Sequence, residues 1–283
     1  MRKTGLVLEG GAMRGLFTAG ILDVLLEEGV AFDGLVGVSA GAAFGCNFKS
    51  RQAGRAIHYN LKYAKDRRYC GLWSWLTTGN LFNAEFAYHT LPDKLDPFDN
   101  KSLECNPVEF HLVATDVLTG KAVYKKIEQG GNDLYEWLRA SASMPIASKV
   151  VDIDGYRLLD GGIADSIPLR YFQEQGFERN VVILTQPLGY EKRAMRMMPL
   201  FKCFLRQYPE LTRALAHRHE MYNEELHFLA QQEKKGDTLV ICPEETLPIG
   251  RISSNKEKMQ MTYLLGRETA KRKLKEIKAF CEQ

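Results

Sequence analysis

The chain has 283 residues, a length that can bury a large hydrophobic core. Its hydrophobic fraction of 45% and charged fraction of 26% are those of a soluble globular protein rather than of a disordered or membrane-embedded one. Lysine and arginine number 38 against 35 aspartate and glutamate, so the net charge of +3 gives no general reason to expect nucleic-acid binding.

The sequence shows no targeting or membrane-spanning pattern. The apolar run that starts at Gly5 is soon broken by Glu9 and a glycine cluster, unlike a signal peptide. No stretch approaches the roughly 20 apolar residues that a spanning helix needs. The six cysteines are far apart and lack the close pairing of metal or redox sites. We therefore expect a cytoplasmic protein with reduced cysteines.

The first fifty residues contain two similar units. An apolar run at residues 5–8 ends in glycines and is followed by an amphipathic pattern at helical spacing over residues 15–28. A second apolar run at residues 34–38 leads through Ser39 into a segment of small residues that predicts another helix. Two strand–turn–helix units joined by a short link indicate parallel strands connected by helices, so the sequence predicts an α/β fold.

The rest of the chain continues this alternation. Residues 110–126 predict two strands around the turn 118–120, and the dipeptide Asp154-Gly155 predicts a second hairpin whose last strand ends at Asp160. Helices and loops are predicted over 51–109, further helices over 133–143, 168–176, 208–235 and 255–281, and buried strands over 181–185 and 238–242.

The segment Gly37-Val38-Ser39-Ala40-Gly41 fits the pattern Gly-x-Ser-x-Gly of a nucleophile elbow. In such an elbow the serine lies on a strained turn between a strand and a helix, and the flanking glycines relieve crowding. The amino-terminal end of the following helix favours negative charge near Ser39. The pattern indicates a catalytic serine, and the alternative is a tight turn without chemistry.

A glycine-rich loop, Gly10-Gly11-Ala12-Met13-Arg14-Gly15, lies between the first strand and the first helix, where backbone N–H groups can bind an anion. Because both strand–helix turns lie at the carboxyl edge of a parallel sheet, we expect this loop and Ser39 to be neighbours. The alternative is a dinucleotide-binding turn with Asp33 as the ribose partner, but Ala12 stands where that motif has a glycine.

A nucleophilic serine needs a proton acceptor, which is usually a histidine held by a carboxylate. The six histidines fall within helices, a strand and an aromatic-rich loop, and none lies in a glycine-framed loop at a strand end. Asp160-Gly161-Gly162 does end a predicted strand, which would direct an acidic side chain to the same cleft. An ordinary Asp-Gly turn is the alternative interpretation of that segment.

Three segments in this order, EGGAMRG, GVSAG and DGG, resemble the glycine-rich loop, the serine elbow and the Asp-Gly-Gly motif of patatin-like phospholipases. The segments LVATDVLTGK and RASASMPIAS are also similar to that family, so the resemblance covers residues 4–185. It implies a three-layer α/β/α sandwich with a mostly parallel central sheet. We expect a catalytic domain at residues 1–190 and, at residues 191–283, an extension of helices and a strand packed on that domain.

The resemblance also implies an active site. In that family a Ser-Asp dyad replaces the usual triad, so Ser39 would be the nucleophile, Asp160 the general base, and the N–H groups of Gly10, Gly11 and Ala12 the oxyanion hole. Arg14 matches a common basic position, whereas Ala12 departs from the family because many members have glycine there. The loop and the two motifs would be supported by Gly15, Gly37, Gly41, Gly161 and Gly162. The implied reaction cleaves a carboxylic ester of a lipid through an acyl-enzyme, with no metal or organic cofactor.

Residues 192–206 bear on membrane binding. They interleave five basic residues with apolar ones, a composition suited to an anionic lipid surface such as the inner face of a membrane. The alternative is a loop and helix whose apolar side packs on the core. The basic segment 266–280 has the same ambiguity, and a solvated helix is its simpler interpretation.

Three functions remain open from the sequence. The first is a lipid acyl hydrolase that uses the Ser-Asp dyad. The second is a hydrolase or acyltransferase with a Ser-His triad, although Ser39 comes earlier in the chain than the elbow of common α/β-hydrolases. The third is a non-catalytic lipid- or nucleotide-binding protein on the same scaffold.

Overall fold

The computed structural model describes residues 2–282, which form a mixed eight-stranded β-sheet flanked by helices. The strands are β1 (Thr4–Leu8), β2 (Gly34–Val38), β3 (Glu109–Asp116), β4 (Ala122–Ile127), β5 (Val151–Ile153), β6 (Tyr156–Asp160), β7 (Arg179–Ile183) and β8 (Thr238–Ile241). Their order is β5-β6-β3-β2-β1-β7-β8, and β4 also pairs with β3. The pairs among β3, β2, β1, β7 and β8 are parallel, whereas the pairs of β4, β5 and β6 are antiparallel.

The helices follow the strands in the predicted alternation. They are α1 (Leu16–Glu27), α2 (Ala40–Lys49), α3 (Arg55–Tyr63), α4 (Leu72–Thr78), α5 (Asn100–Cys105), α6 (Asn132–Ser141), α7 (Leu169–Glu174), α8 (Met198–Phe204), α9 (Pro209–Lys235) and α10 (Lys256–Glu282). Short 3-10 turns at Ala12–Gly15 and Gly161–Ile163 and a π-helical segment at Phe86–Leu95 complete the structure. The predicted α/β fold is confirmed.

Alternate residues of the central strands enter two separate cores. In β1, Leu6 and Leu8 pack with residues of α1, α2 and α10, whereas Val7 packs on the other face with Phe172 of α7 and Tyr222 of α9. Because helices cover both faces, every residue of β1 and β2 is buried, and their apolar residues follow one another instead of alternating with polar ones. This explains the unbroken apolar runs that mark β1 and β2 in the sequence.

Helix α1 is buried on every side, although its sequence pattern is amphipathic. All residues over 16–25 are buried because α10 covers the face that points away from the sheet. The two helices approach closely at Gly20 and Gly266, where added Cβ atoms would lie 2.1 Å from the Tyr263 oxygen and 2.0 Å from the Phe17 oxygen. One face of the basic segment 266–280 is therefore packed along α1, while Lys271, Arg272 and Lys275 on the other face are exposed. The segment is thus a helix with a solvated basic face and a packed apolar face.

The chain beyond residue 190 shares the sheet and the helix layers with the part before it. Strand β8 pairs with β7 in the same sheet, and α9 contributes Tyr222 to the core beneath β1. The boundary near residue 190 between the catalytic domain and its extension stays a prediction.

Replacement of Gly266 by alanine tests the contact between α1 and α10. Alanine favours helix over glycine by about 1 kcal/mol, but its methyl group would overlap the Phe17 carbonyl. We expect a net loss of about 1–3 kcal/mol in the free energy of unfolding, measured by urea denaturation. The control Gly250→Ala places the same methyl group at an ordinary van der Waals distance of 3.8 Å from the Ile252 oxygen. An unchanged unfolding free energy in Gly266→Ala would contradict the close contact.

Candidate active site

Ser39 occupies the sharp turn between β2 and α2. Its backbone has φ of 55° and ψ of −120°, a conformation that residues other than glycine rarely adopt. A Cβ atom on Gly37 would lie 2.6 Å from the backbone of Ala42, and one on Gly41 would lie 2.5 Å from the Leu8 oxygen. The two glycines of the predicted elbow are therefore required by the close packing around this turn.

The hydroxyl of Ser39 donates a hydrogen bond to Asp160, with Oγ and Oδ2 separated by 2.7 Å. The other carboxylate oxygen accepts the N–H of Gly162 at 2.8 Å. Both Ser39 and Asp160 are 8% exposed. Burial raises the pKa of Asp160, while the hydrogen bond from Ser39 and the positive charge of Arg218 oppose that rise. The structure thus brings together two predicted site residues that are 121 positions apart.

The placement of Asp160 has a different cause from the one that the sequence suggested. Strand β6 runs antiparallel to β3, so its carboxyl end does not follow the common edge of the parallel strands. Instead β6 is short and stops with Asp160 opposite Ala114 of β3. A Cβ on Gly161 would lie 2.2 Å from the Val113 oxygen, which shows how closely the chain turns away from β3 at this point.

Ser141 is a site residue that sequence reasoning missed. It is fully buried at the end of α6, and its hydroxyl accepts the N–H of Ser39 at 2.9 Å and donates to the Val113 oxygen at 2.6 Å. It therefore joins the serine turn to β3. Its one sequence signal is its position within RASASMPIAS, a segment that resembles the family but contains several serines.

The glycine-rich loop lies beside Ser39. A Cβ on Gly11 would lie 2.7 Å from Thr185 Oγ1, so a side chain there would force Thr185 to shift, and one on Gly10 would lie 3.1 Å from that of Ser39, a tight contact. Within residues 2–282, the N–H groups of Gly10, Gly11 and Ala12 have no hydrogen-bond acceptor. Free N–H groups next to a hydroxyl can bind an anion that forms there.

Ala12 departs from ideal backbone geometry. Its φ of 50° lies in the left-handed region, where a residue with a Cβ is less stable than glycine by about 1–2 kcal/mol. The methyl group does not block the N–H of Ala12. Alanine in place of glycine therefore adds backbone strain but removes no hydrogen-bond donor. The neighbouring Gly15 packs against α2, where a Cβ would lie 2.8 Å from that of Ala40.

A buried glutamate fixes the strand that precedes this loop. Glu9 is 2% exposed and accepts hydrogen bonds from the backbone N–H of Thr185 at 2.5 Å and from the Tyr222 hydroxyl at 2.7 Å. These bonds tie the end of β1 to the segment after β7 and to α9. In the sequence Glu9 is visible only as a break in an apolar run, so its role depends on tertiary contacts.

Two cavities meet at Ser39. The first, of about 130 Å³, is mainly apolar and is lined by side chains of α2, α3, α6 and the π-helical segment, among them Phe44 and Leu138. The second, of about 260 Å³, is lined by the glycine-rich loop, Asp160 and several basic residues, including Arg14. The Nε atom of Arg14 is buried and has no hydrogen-bond partner within residues 2–282.

The alternative interpretations find little support in the geometry. Asp33 lies at the amino end of β2 and accepts the N–H of Thr4 at 2.7 Å, whereas the glycine-rich loop lies at the opposite, carboxyl end of β1. A ribose partner would be needed at the carboxyl end. None of the six histidines forms a hydrogen bond with Ser39, and the buried His111 contacts the Tyr171 hydroxyl instead.

Residues 192–206 combine both interpretations of their sequence. Exposed apolar side chains are found at Met197, Leu200 and Phe204, but Phe201 lines the second cavity and the Lys192 ammonium lies 3.6 Å from the centre of the Tyr222 ring. Among residues 2–282, no helix is both long enough and apolar enough to cross a bilayer.

A family model described as patatin-like phospholipase matches residues 6–172 of the chain. The matched range contains the glycine-rich loop, Ser39 and Asp160. A second family model, described as a domain of unknown function, matches residues 208–282.

Several curated proteins are similar in sequence. The uncharacterized protein YjjU of Escherichia coli is 27% identical over 94% of this chain and 75% of that protein. An uncharacterized NTE family protein of Mycobacterium tuberculosis is 28% identical over 59% of this chain and 44% of that protein. Lysophospholipase nte1 of Aspergillus niger is 27% identical over 62% of this chain, which spans only 11% of that protein.

Among solved structures, VipD from Legionella pneumophila is similar with a TM-score of 0.48 and 13% sequence identity. The match covers 98% of this chain and 67% of that chain.

Proposed function

The chain belongs to the patatin-like phospholipase family, and we propose that it is a serine ester hydrolase acting on lipids through a dyad of Ser39 and Asp160. Family membership supports lipid hydrolysis in general. The observation that carries the finer proposal is the 2.7 Å hydrogen bond from the Ser39 hydroxyl to the Asp160 carboxylate. The chain matches part of a fungal lysophospholipase, so lysophospholipids are the first substrates to test.

In the proposed mechanism Asp160 accepts the proton of Ser39 while the serine oxygen attacks the ester carbonyl. The free N–H groups of Gly10, Gly11 and Ala12 stabilise the negative oxygen of the tetrahedral intermediate. Asp160 then returns the proton to the departing alcohol, which leaves an acyl group on Ser39. Asp160 again acts as the base and accepts a proton from the water that attacks this acyl-enzyme. It passes that proton to the Ser39 oxygen as the fatty acid leaves, which restores the hydroxyl.

The electrostatic surroundings suit Asp160 for this role. Burial strengthens it as a base, while the Gly162 N–H and nearby positive charges favour its ionised form, which alone can accept a proton. The Nε of Arg218 donates to the carbonyl oxygen of Gly162 and so stabilises the turn that holds the carboxylate. We propose Arg218 as a positioning residue for the dyad.

The apolar cavity is the proposed site for the acyl chain. It starts at Ser39 and is lined by large apolar side chains such as Phe44, Leu91 and Leu138. Transfer of an alkyl chain into such surroundings stabilises the complex by about 0.8 kcal/mol for each buried CH₂ group. Binding there would place the carbonyl carbon at the cavity mouth, next to the serine oxygen.

We also propose that the protein docks on lipid surfaces beside this site. Helix α4 exposes Leu72, Trp73 and Leu76, which are 68%, 64% and 65% exposed. The neighbouring Trp75 donates its Nε1–H to the Ile146 oxygen, close in the chain to Met144, which lines both cavities. Exposed apolar groups at a substrate entrance are typical of enzymes that bind aggregated lipids.

Replacement of either dyad residue tests the proposed mechanism. Ser39→Ala removes the nucleophile and Asp160→Asn removes the base, so each should lower kcat for p-nitrophenyl butyrate by about 10³-fold or more. A fluorophosphonate probe should label the wild type and fail to label Ser39→Ala. Thermal melting of each variant checks that the fold is retained.

Matched controls remove the same groups at exposed positions. Ser254→Ala and Asp152→Asn should hydrolyse the ester at the wild-type rate. Wild-type activity in Ser39→Ala or in Asp160→Asn would end the dyad proposal. If a His→Ala variant were inactive while Asp160→Asn kept its activity, the Ser-His triad would be favoured instead.

The dyad also predicts a pH dependence. Because burial raises the pKa of Asp160, its ionised form should appear only above the ordinary aspartate value of about 3.9. We expect kcat/KM for p-nitrophenyl butyrate to rise with pH through this ionisation and then to level off. Steady-state kinetics between pH 4 and pH 9 would measure this profile. Fluorescence would check at each pH that the protein is folded. Activity that falls as pH rises above 4 would contradict a carboxylate base.

Flotation with vesicles that contain anionic lipid tests docking. The double variant Leu72→Ser/Leu76→Ser should float about 10-fold less than the wild type because it loses two exposed apolar side chains. The control Leu264→Ser/Leu265→Ser changes two exposed leucines of α10 and should float normally. Absence of wild-type flotation at both low and high salt would reject the docking proposal.

A further inference from the structure

Basic side chains surround the second cavity. Arg14, Lys192, Arg218 and Arg251 line it, and among the described lining residues Asp160 is the only acidic one. All but Arg14 lie beyond the range matched by the patatin-like phospholipase model. The positive charge at the site is therefore supplied mainly by the part of the chain after residue 190.

The acidic groups near these basic side chains do not pair with them directly. Within residues 2–282, none of the four forms an ion pair with a carboxylate. The acidic groups that act on them electrostatically include Glu9 and Asp160, whose oxygens already accept hydrogen bonds from other residues. Arg14 lines the cavity, and its buried Nε is an unsatisfied hydrogen-bond donor within residues 2–282.

The basic groups also repel one another. Burial and the charge of Arg218 lower the pKa of Lys192 to about 7, with Arg251 and Arg14 contributing further repulsion. Burial is likewise the main cause of the lowered pKa of Arg14 and of Arg218. Like charges held together in a partly desolvated cavity cost free energy, which a bound anion would offset.

We propose that this cavity binds the phosphate of an anionic head group, so that the enzyme prefers acyl esters of glycerol phosphate over neutral or zwitterionic esters. The inference rests on the proposed hydrolysis at Ser39. With the acyl chain in the apolar cavity and the ester at Ser39, the alcohol part of the substrate faces the basic residues. Arginine presents several N–H groups to phosphate oxygens, which makes it well suited to this ligand.

The surroundings argue against a zwitterionic head group. A choline group would bring another positive charge, and the one acid of the cavity, Asp160, is engaged with Ser39. The adjoining cavity of about 680 Å³ shares Lys192, Arg218 and Arg251. It adds both Arg193 and Glu191, so the positive excess persists along the route that a larger head group would follow.

Three substrates with the same oleoyl chain test this preference: 1-oleoylglycerol 3-phosphate, 1-oleoylglycerophosphocholine and 1-oleoylglycerol, each dispersed in neutral detergent micelles. We expect kcat/KM to be roughly 10- to 100-fold higher for the phosphate monoester than for the other two substrates. The neutral ester has no phosphate to accept charge-assisted hydrogen bonds, and in the choline ester the positive choline group opposes them. Equal values for the three substrates, or for the two phosphate-containing ones, would overturn the proposal.

A pair of double variants assigns the preference to the cavity. Lys192→Gln/Arg251→Gln should reduce the preference at least 10-fold, whereas Lys202→Gln/Arg206→Gln makes the same two kinds of substitution at exposed positions and should keep it. An equal reduction in both would overturn the local site. If the Lys192→Gln/Arg251→Gln protein does not fold, the single variant Arg251→Gln, which changes an exposed loop residue, takes its place in the comparison.

Binding of glycerol 3-phosphate separates this inference from the proposed function. Calorimetry on Ser39→Ala, which needs no catalysis, should show binding of glycerol 3-phosphate but not of glycerol. Added Lys192→Gln/Arg251→Gln substitutions should abolish that binding, and absence of binding in Ser39→Ala would overturn the site. If no ester is hydrolysed by the wild type while this binding is found, the hydrolase proposal fails and the phosphate site stands.

Discussion

The site depends on the register of β3 with its two neighbours. On one side Val38 of β2 pairs with Val113, and on the other Asp160 of β6 pairs with Ala114, one residue further along. This offset places Ser39, the next residue after β2, within hydrogen-bond distance of Asp160 across β3. A slip of one residue would turn the Asp160 side chain to the other face of the sheet. Because the same slip would expose residues that are now buried, the burial of β3 and β6 stabilises the observed register.

Other constraints converge on the same short stretch of β3. Ser141 connects the N–H of Ser39 to the backbone oxygen of Val113, and the Thr115 hydroxyl donates to the backbone carbonyl oxygen of Asp160 at 2.9 Å. The backbone of Gly161 passes so close to Val113 that no side chain fits. A strained serine turn is retained in such a setting because the surrounding hydrogen bonds leave it few other conformations.

Sequence reasoning succeeded where a local backbone requirement leaves a mark in residue type. The turn at Ser39 and the close approach at Gly161 both demand glycine, so their segments could be recognised and ordered into an α/β fold. It failed where the role of a residue arises from distant contacts. Ser141 and Arg218 lie in ordinary helical patterns, and the burial of α1 follows from a helix far along the chain.

The close contact between α1 and α10 has a consequence for biosynthesis. Asp23 of α1 accepts a hydrogen bond from the hydroxyl of Tyr263, 240 residues later in the chain. As the ribosome extends the polypeptide, the outer face of α1 stays uncovered until α10 has left the exit tunnel. Its apolar residues are exposed to chaperones and to other nascent chains during that interval, so the fold around the dyad is completed late in translation.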